Sequence, residues 1–99
     1  MRENIKDEIL EIYETLIENG VTFYYGSEVI PTGEVTGFNI IEGEYIEIEV
    51  EIEGFETYQV SVEDFEEYHS KEGANYHTWP EIRKFDKKLS IMNNEEMKE

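Results

Sequence analysis

The stretch Glu44-Tyr45-Ile46-Glu47-Ile48-Glu49-Val50-Glu51-Ile52-Glu53 alternates without a break. In an extended chain Ile46, Ile48, Val50 and Ile52 fall on one side, and Glu47, Glu49, Glu51 and Glu53 on the other. Alternation of β-branched and polar residues predicts a half-buried strand. Two effects oppose each other here. Glutamate is a poor strand former, and like charges on one face repel. Same-face residues stand roughly 6.5–7 Å apart, given a rise of about 3.3 Å per residue. The Ile/Val face must recover what the carboxylates cost. The glutamate side is then either a solvated strand face or a ruled line of negative charge for a basic partner.

Working outward, Glu42-Gly43-Glu44 and Glu53-Gly54-Phe55 predict three-residue hairpin loops on either side of this strand. The resulting register pairs Ile40 with Ile46, Phe38 with Ile48, Val50 with Tyr58, Ile48 with Val60 and Ile46 with Val62. Apolar meets apolar on both flanks. A slip of one residue would turn every side chain to the opposite face. On the outer face Glu47, Glu49 and Glu51 gain Ser61, Gln59 and Thr57 as neighbours, with Asn39 on the other flank. None is a cation. Val35 to Ile41 is the preceding strand, weakened by Gly37, and Val21 to Gly26 is a possible extra one, rich in aromatic and β-branched residues. Between them Ile30-Pro31-Thr32-Gly33 has turn chemistry.

Residues 3 to 19 predict an amphipathic helix. Ile5, Ile9, Ile12 and Leu16 form its buried stripe, and Asn19-Gly20 ends it. Glu3, Asp7, Glu11, Glu14 and Glu18 fall nearly opposite that stripe, without an intervening Lys. Ser61-Val62-Glu63-Asp64 looks like a helix cap for a short helix through about His69, with Phe65 and Tyr68 facing inward. Ser70 to His77 reads as a polar connection. Thr78-Trp79-Pro80-Glu81 is a second capping pattern, and Trp79, Ile82, Phe85, Leu89 and Met92 trace one apolar face. The fold class is therefore α+β: an N-terminal helix, an antiparallel β-meander of 3–4 strands, and one or two C-terminal helices. Residues 1–92 make one domain, and 93–99 a frayed tail.

The 99 residues include 38% hydrophobic and 13% aromatic side chains, enough for a core. There is no Cys, which removes disulfides and thiolate chemistry. No apolar leader or membrane span is visible, so the expectation is a cytoplasmic protein. The formal charge is −17. From Asp7 to Ser70 there are 18 acidic residues and no Lys or Arg. Such a field repels nucleic acid and anionic membrane, and attracts basic surfaces.

Catalytic patterns are missing from the sequence. It has no phosphate loop, no nucleophile elbow and no His-Glu metal motif. His69 and His77 bracket the polar connection and read as surface residues. A metal or general-base role would need them to converge with a carboxylate. Carboxylates in one solvent-facing ladder share one environment, which argues against an acid/base pair. The expectation is a non-enzyme with no cofactor and no metal. Phe55, in a hairpin loop among acids, is the candidate exposed anchor, since an aromatic within a charged rim is common hot-spot anatomy. The cluster Arg83, Lys84, Lys87 and Lys88 is expected to bond to the protein's own carboxylates.

In element order and charge, over about residues 3–92, the chain resembles the small acidic phage-encoded inhibitors of bacterial defence, the anti-CRISPR proteins and anti-restriction DNA mimics. One anti-CRISPR family that blocks Cas9 is similarly short and acidic, with an N-terminal helix, a three-stranded antiparallel sheet and C-terminal helices. The likeness rests on no sequence motif and transfers no functional residue. It implies a protein that occupies the basic nucleic-acid cleft of a partner, a Cas nuclease or a restriction enzyme among the options, in the host cytoplasm if phage-encoded. On the residues alone the binding surface is Glu47, Glu49, Glu51, Glu53 and Phe55 together with Glu3, Asp7, Glu11, Glu14 and Glu18. The alternative is an acidic accessory domain, a homodimer or a subunit of a larger complex, with no nucleic-acid competition.

Overall fold

A computed structural model describes residues 2–73 and 79–97. The elements run α1 (Arg2–Glu18), β1 (Thr22–Tyr25), β2 (Gly33–Glu42), β3 (Ile46–Ile52), β4 (Thr57–Ser61), α2 (Val62–Tyr68), β5 (His69–Glu72) and α3 (Trp79–Met97). The fold is α+β, with five antiparallel strands in the order β4-β3-β2-β1-β5. The three helices lie on one side of this curled sheet.

The alternating stretch becomes β3, and its two neighbours cover both of its long edges. Ile46, Ile48, Val50 and Ile52 are all buried, in one core with Ile9 and Leu16 of α1, Phe65 of α2 and Phe85, Leu89 and Met92 of α3. Magnitudes decide the contest within the strand. Two carboxylates about 7 Å apart repel by about 0.6 kcal/mol in a water-like dielectric, and less in salt. Burying four such aliphatic side chains contributes roughly 6–12 kcal/mol.

The β3–β4 register is the one that the loop rule predicts. Val50 faces Tyr58, Ile48 faces Val60, and Glu47, Glu49 and Glu51 face Ser61, Gln59 and Thr57. Phe55 N–H donates to Ile52 O at 2.9 Å, and Gly54 takes φ +83°. That is the pattern of a type II turn, which needs Gly at its third position.

The β2–β3 register differs by two residues. Phe38 faces Val50 and Ile40 faces Ile48, rather than Ile48 and Ile46. The loop is Gly43-Glu44-Tyr45, because β2 continues through Ile41 and Glu42 before the first residue that favours a turn. A two-residue slip preserves the face, so the core survives it. A bulge between Val35 and Gly37 follows, with Thr36 as the extra residue.

Two further departures concern polar segments. His69–Glu72 forms a fifth strand, antiparallel to β1, where the sequence predicts a connection. Its composition has little strand preference. The side chains of His69 and Lys71 point inward and cover the rim of an aromatic cluster. The last helix continues through Asn93–Met97, where the apolar pattern has ended and a frayed tail is expected. His77 and Thr78, and with them the second capping pattern and half of the candidate His pair, lie outside the described residues.

Among the described residues, no helix is long and apolar enough to cross a membrane.

Candidate protein-binding surface

The sheet has one face under helices and one face open. Strand alternation assigns the open face residue by residue. It carries Thr57, Gln59 and Ser61 of β4, then Glu47, Glu49 and Glu51 of β3, then Gly37, Asn39 and Ile41 of β2. Each strand glutamate therefore sits between two uncharged residues. Glu47 lies between Ser61 and Ile41, Glu49 between Gln59 and Asn39, and Glu51 between Thr57 and Gly37. Sequence reasoning placed Asn39 beside Glu47; the shifted register moves it beside Glu49. Further along the same face stand Tyr24, Ser70, Thr22 and Glu72, again without a Lys or Arg.

Gly37 has a role that its sequence position concealed. A side chain there would meet the Glu51 carboxylate, with Oε1 only 2.9 Å from an ideal Cβ. Its absence lets Glu51 lie over the β2 backbone and leaves a shallow groove of about 250 Å³ bordered by Glu49, Glu51 and Thr57. Glu53 lies beyond the strand in the turn and is exposed.

The helix acids lie elsewhere. Asp7, Glu11, Glu14 and Glu18 are exposed on α1, opposite the stripe through which Ile9 and Leu16 enter the core. Since that core also holds the inner face of β3, the two acidic rows point away from each other. They lie on opposite sides of the shared core. Glu3 belongs to α1, but its side chain lies outside the described residues. The structure thus brings Glu47, Glu49, Glu51 and Glu53 together and separates them from the helix row.

Cations are mostly committed. Lys88 reaches Glu8 of α1 at 2.8 Å, Lys84 lies 3.8 Å from Glu81 on its own helix, and Lys6 lies 3.9 Å from Glu42. Lys71 Nζ is 2.9 Å from Asp86 Oδ1 and donates to His69 Nε2 at 2.9 Å. Arg83 and Lys87 make no ion pair among the described residues, so internal bonding accounts for two members of the cluster and not all four.

His69 is a core residue. Its side chain is 6% exposed and stacks on Phe65 with ring centroids 4.5 Å apart. Nδ1–H donates to Phe65 O at 2.7 Å, which leaves Nε2 as the acceptor for Lys71. Burial, and then the Lys71 ammonium, hold its pKa below the usual imidazole value. Among the described residues, no group of three or more His, Cys, Asp or Glu could hold a metal ion.

Among the aromatics of the strands and their loops, Tyr25 is buried, Tyr24 and Tyr58 are half-buried, and Tyr45 and the candidate anchor Phe55 are exposed. Burial, then the charge of Asp64 and the neighbouring Tyr68, push the Tyr25 phenol up to about 12. Tyr68, expected inward with Phe65, is instead exposed at the end of α2, and Val29 and Ile91 are exposed without having been singled out. Val29 had a legible signal, an aliphatic residue beside Glu28 in a long loop.

Comparison with protein-family models, with curated proteins and with solved structures gives no match to this chain.

Proposed function

We propose that this protein is a non-catalytic acidic inhibitor that docks the open face of its sheet onto the basic nucleic-acid-binding surface of another protein and competes with the nucleic acid there. One observation carries the reading: Glu47, Glu49 and Glu51 stand in line on β3, the second strand from one edge of an uncovered sheet face, each with only uncharged cross-strand neighbours. Lys and Arg placed to grip a phosphate backbone are steered toward such a row at high rate. The most specific form is a phage anti-defence protein acting on a Cas nuclease or a restriction enzyme. The helix row faces the other way, so it serves solubility and long-range steering in this reading and not contact.

The test measures inhibition of a panel of Cas nucleases and restriction enzymes. For a responsive target, added DNA should restore activity, and salt should weaken inhibition steeply. Glu47→Lys with Glu49→Lys should abolish inhibition. Glu11→Lys with Glu14→Lys, on the opposite side, should leave it within about threefold, as rim charges alter association modestly. A stable ternary complex of target, DNA and this protein would sink the competitive reading.

The second reading, an acidic interaction domain without nucleic-acid competition, is favoured by a separate feature, the exposed apolar side chains at one end of the sheet.

A further inference from the structure

Three side chains at that end stand uncovered. Val29, in the β1–β2 loop, is 86% exposed; Phe55, in the β3–β4 turn, is 51% exposed; and Tyr68, the last residue of α2, is 40% exposed. The register places all three at the same end of the sheet, Phe55 between β4 and β3, Val29 between β2 and β1, and Tyr68 before β5. β1 ends at Tyr25, opposite Gly33 that opens β2 and His69 that opens β5, and β3 ends at Ile52. All three connections are therefore at one end of the sheet.

Hydrogen bonds hold these residues outward. Ser27 Oγ accepts from the N–H groups of Val29 and Ile30 at 3.4 and 3.3 Å, while Ser27 N–H donates to Ile30 O at 2.9 Å. That ties the tip on which Val29 sits. The type II turn at Gly54 fixes Phe55, whose ring rests beside Gly33. The Cδ2 atom lies 3.9 Å from where a Cβ on Gly33 would be. Tyr68 lies within the field of Glu67 and Glu28, which raise its phenol pKa along with partial burial and Asp64. An ordered loop that exposes a valine gains nothing from it in the isolated protein.

Around these side chains are Glu28, Glu53, Glu56 and Glu67, all exposed and none in an ion pair among the described residues. This rim selects the occupant. A second copy would bring the same carboxylates, on a chain of net charge −17. Nucleic acid and anionic lipid are repelled as well. A protein surface with an apolar pocket among Lys and Arg satisfies both parts of the patch.

We infer that Val29, Phe55 and Tyr68 form the apolar anchor of a docking site for a protein surface that carries an apolar pocket ringed by Lys and Arg. The anchor adjoins the glutamate row at its Glu51–Glu53 end. The inference rests on the reading of the sheet face as a surface for a basic partner, and adds the part of that partner that is not charge.

Two short synthetic peptides test it, one alternating Lys with Leu and one alternating Lys with Ser, titrated at moderate salt and followed by amide chemical shifts. Wild-type protein should bind the Lys–Leu peptide at least about tenfold more tightly, the scale of a modest hot spot. Val29→Ser with Phe55→Ser should erase that preference and leave Lys–Ser affinity unchanged. A preference that persists in this variant, or is missing in wild type, overturns the anchor. The wild-type protein gives an independent reading. Shift changes from the Lys–Leu peptide centred on Val29, Phe55 and Tyr68 support the anchor, and changes confined to Glu47–Glu49 overturn it. If Glu47→Lys with Glu49→Lys leaves Lys–Ser binding intact while the Leu preference remains, the anchor stands and the glutamate-row reading falls.

Discussion

His69 shows how a residue that sequence assigns to the surface can be part of the core. Its ring fills a place among Phe23, Phe65 and Phe85, and its two nitrogens are satisfied by Phe65 O and Lys71 Nζ. Lys71 in turn lies 5.7 and 5.6 Å from the centroids of Phe23 and Phe85 and ends at Asp86. Protonating His69 would place a second cation against the Lys71 ammonium. The folded pKa is therefore depressed, and the sign of the linkage follows. Above pH about 6.5 the imidazole is neutral in both states and its full contribution is present. As pH falls below that value, the unfolded chain binds the proton and the folded chain resists it. Stability then declines until pH reaches the folded pKa, below which the loss is complete and no longer grows. Relief of carboxylate repulsion acts in the opposite direction on the whole protein, so the informative quantity is a difference. Between pH 7.5 and 5, the urea midpoint of wild type should fall relative to that of His69→Gln. Parallel curves would show that the imidazole is not held neutral.

At the scale of elements, the two helices with an apolar stripe and the four strands from β1 to β4 were legible, because each announces its period. β5 was not. Its four residues, His69-Ser70-Lys71-Glu72, carry no apolar alternation, and its pairing with β1 depends on a core edge that only the assembled fold creates. The β2–β3 hairpin was legible as to face and not as to offset, since a two-residue slip leaves every Ile and Val inward. Of the candidate site, the row on β3 could be read from the sequence. Its isolation from the α1 row could not, because a helical wheel and a strand pleat do not say on which side of a sheet the helix packs. α1 also ends without a basic residue in its last turn, where the carbonyl ends favour a cation. Glu18→Lys should therefore raise stability by about 0.3–1 kcal/mol, from the dipole and from relief beside Glu14. Chemical denaturation would measure it. Because Glu18 lies opposite the sheet's open face, inhibition should not change. Loss of inhibition without loss of stability would place the helix in the interface.

For the whole molecule, the distribution of charge matters more than its total. Acids line the open sheet face, the outer side of α1 and the β1–β2 and β3–β4 loops, while the two cations without a partner among the described residues, Arg83 and Lys87, sit four positions apart on α3. Most long-range electrostatic terms within the fold are repulsive. Sodium chloride shortens the Debye length from about 30 Å at 0.01 M to about 8 Å at 0.15 M, so it should stabilise this protein. A thermal melt should shift upward by several degrees across that range, roughly 1 kcal/mol for a chain of this size. A flat or falling melting temperature would mean that the surface carboxylates are already neutralised by bound cations. Under the proposed function the same salt would weaken docking onto a basic partner, so the two responses would run in opposite directions. The position of β3 adds one consequence. Its glutamates are mounted on a strand bonded along both edges, and not on a loop that must be ordered on contact. Under the proposed function little conformational entropy would remain to be lost when a partner arrives, so encounters would convert to complexes without a waiting step. The speed of capture would then be set by diffusion in the protein's own field.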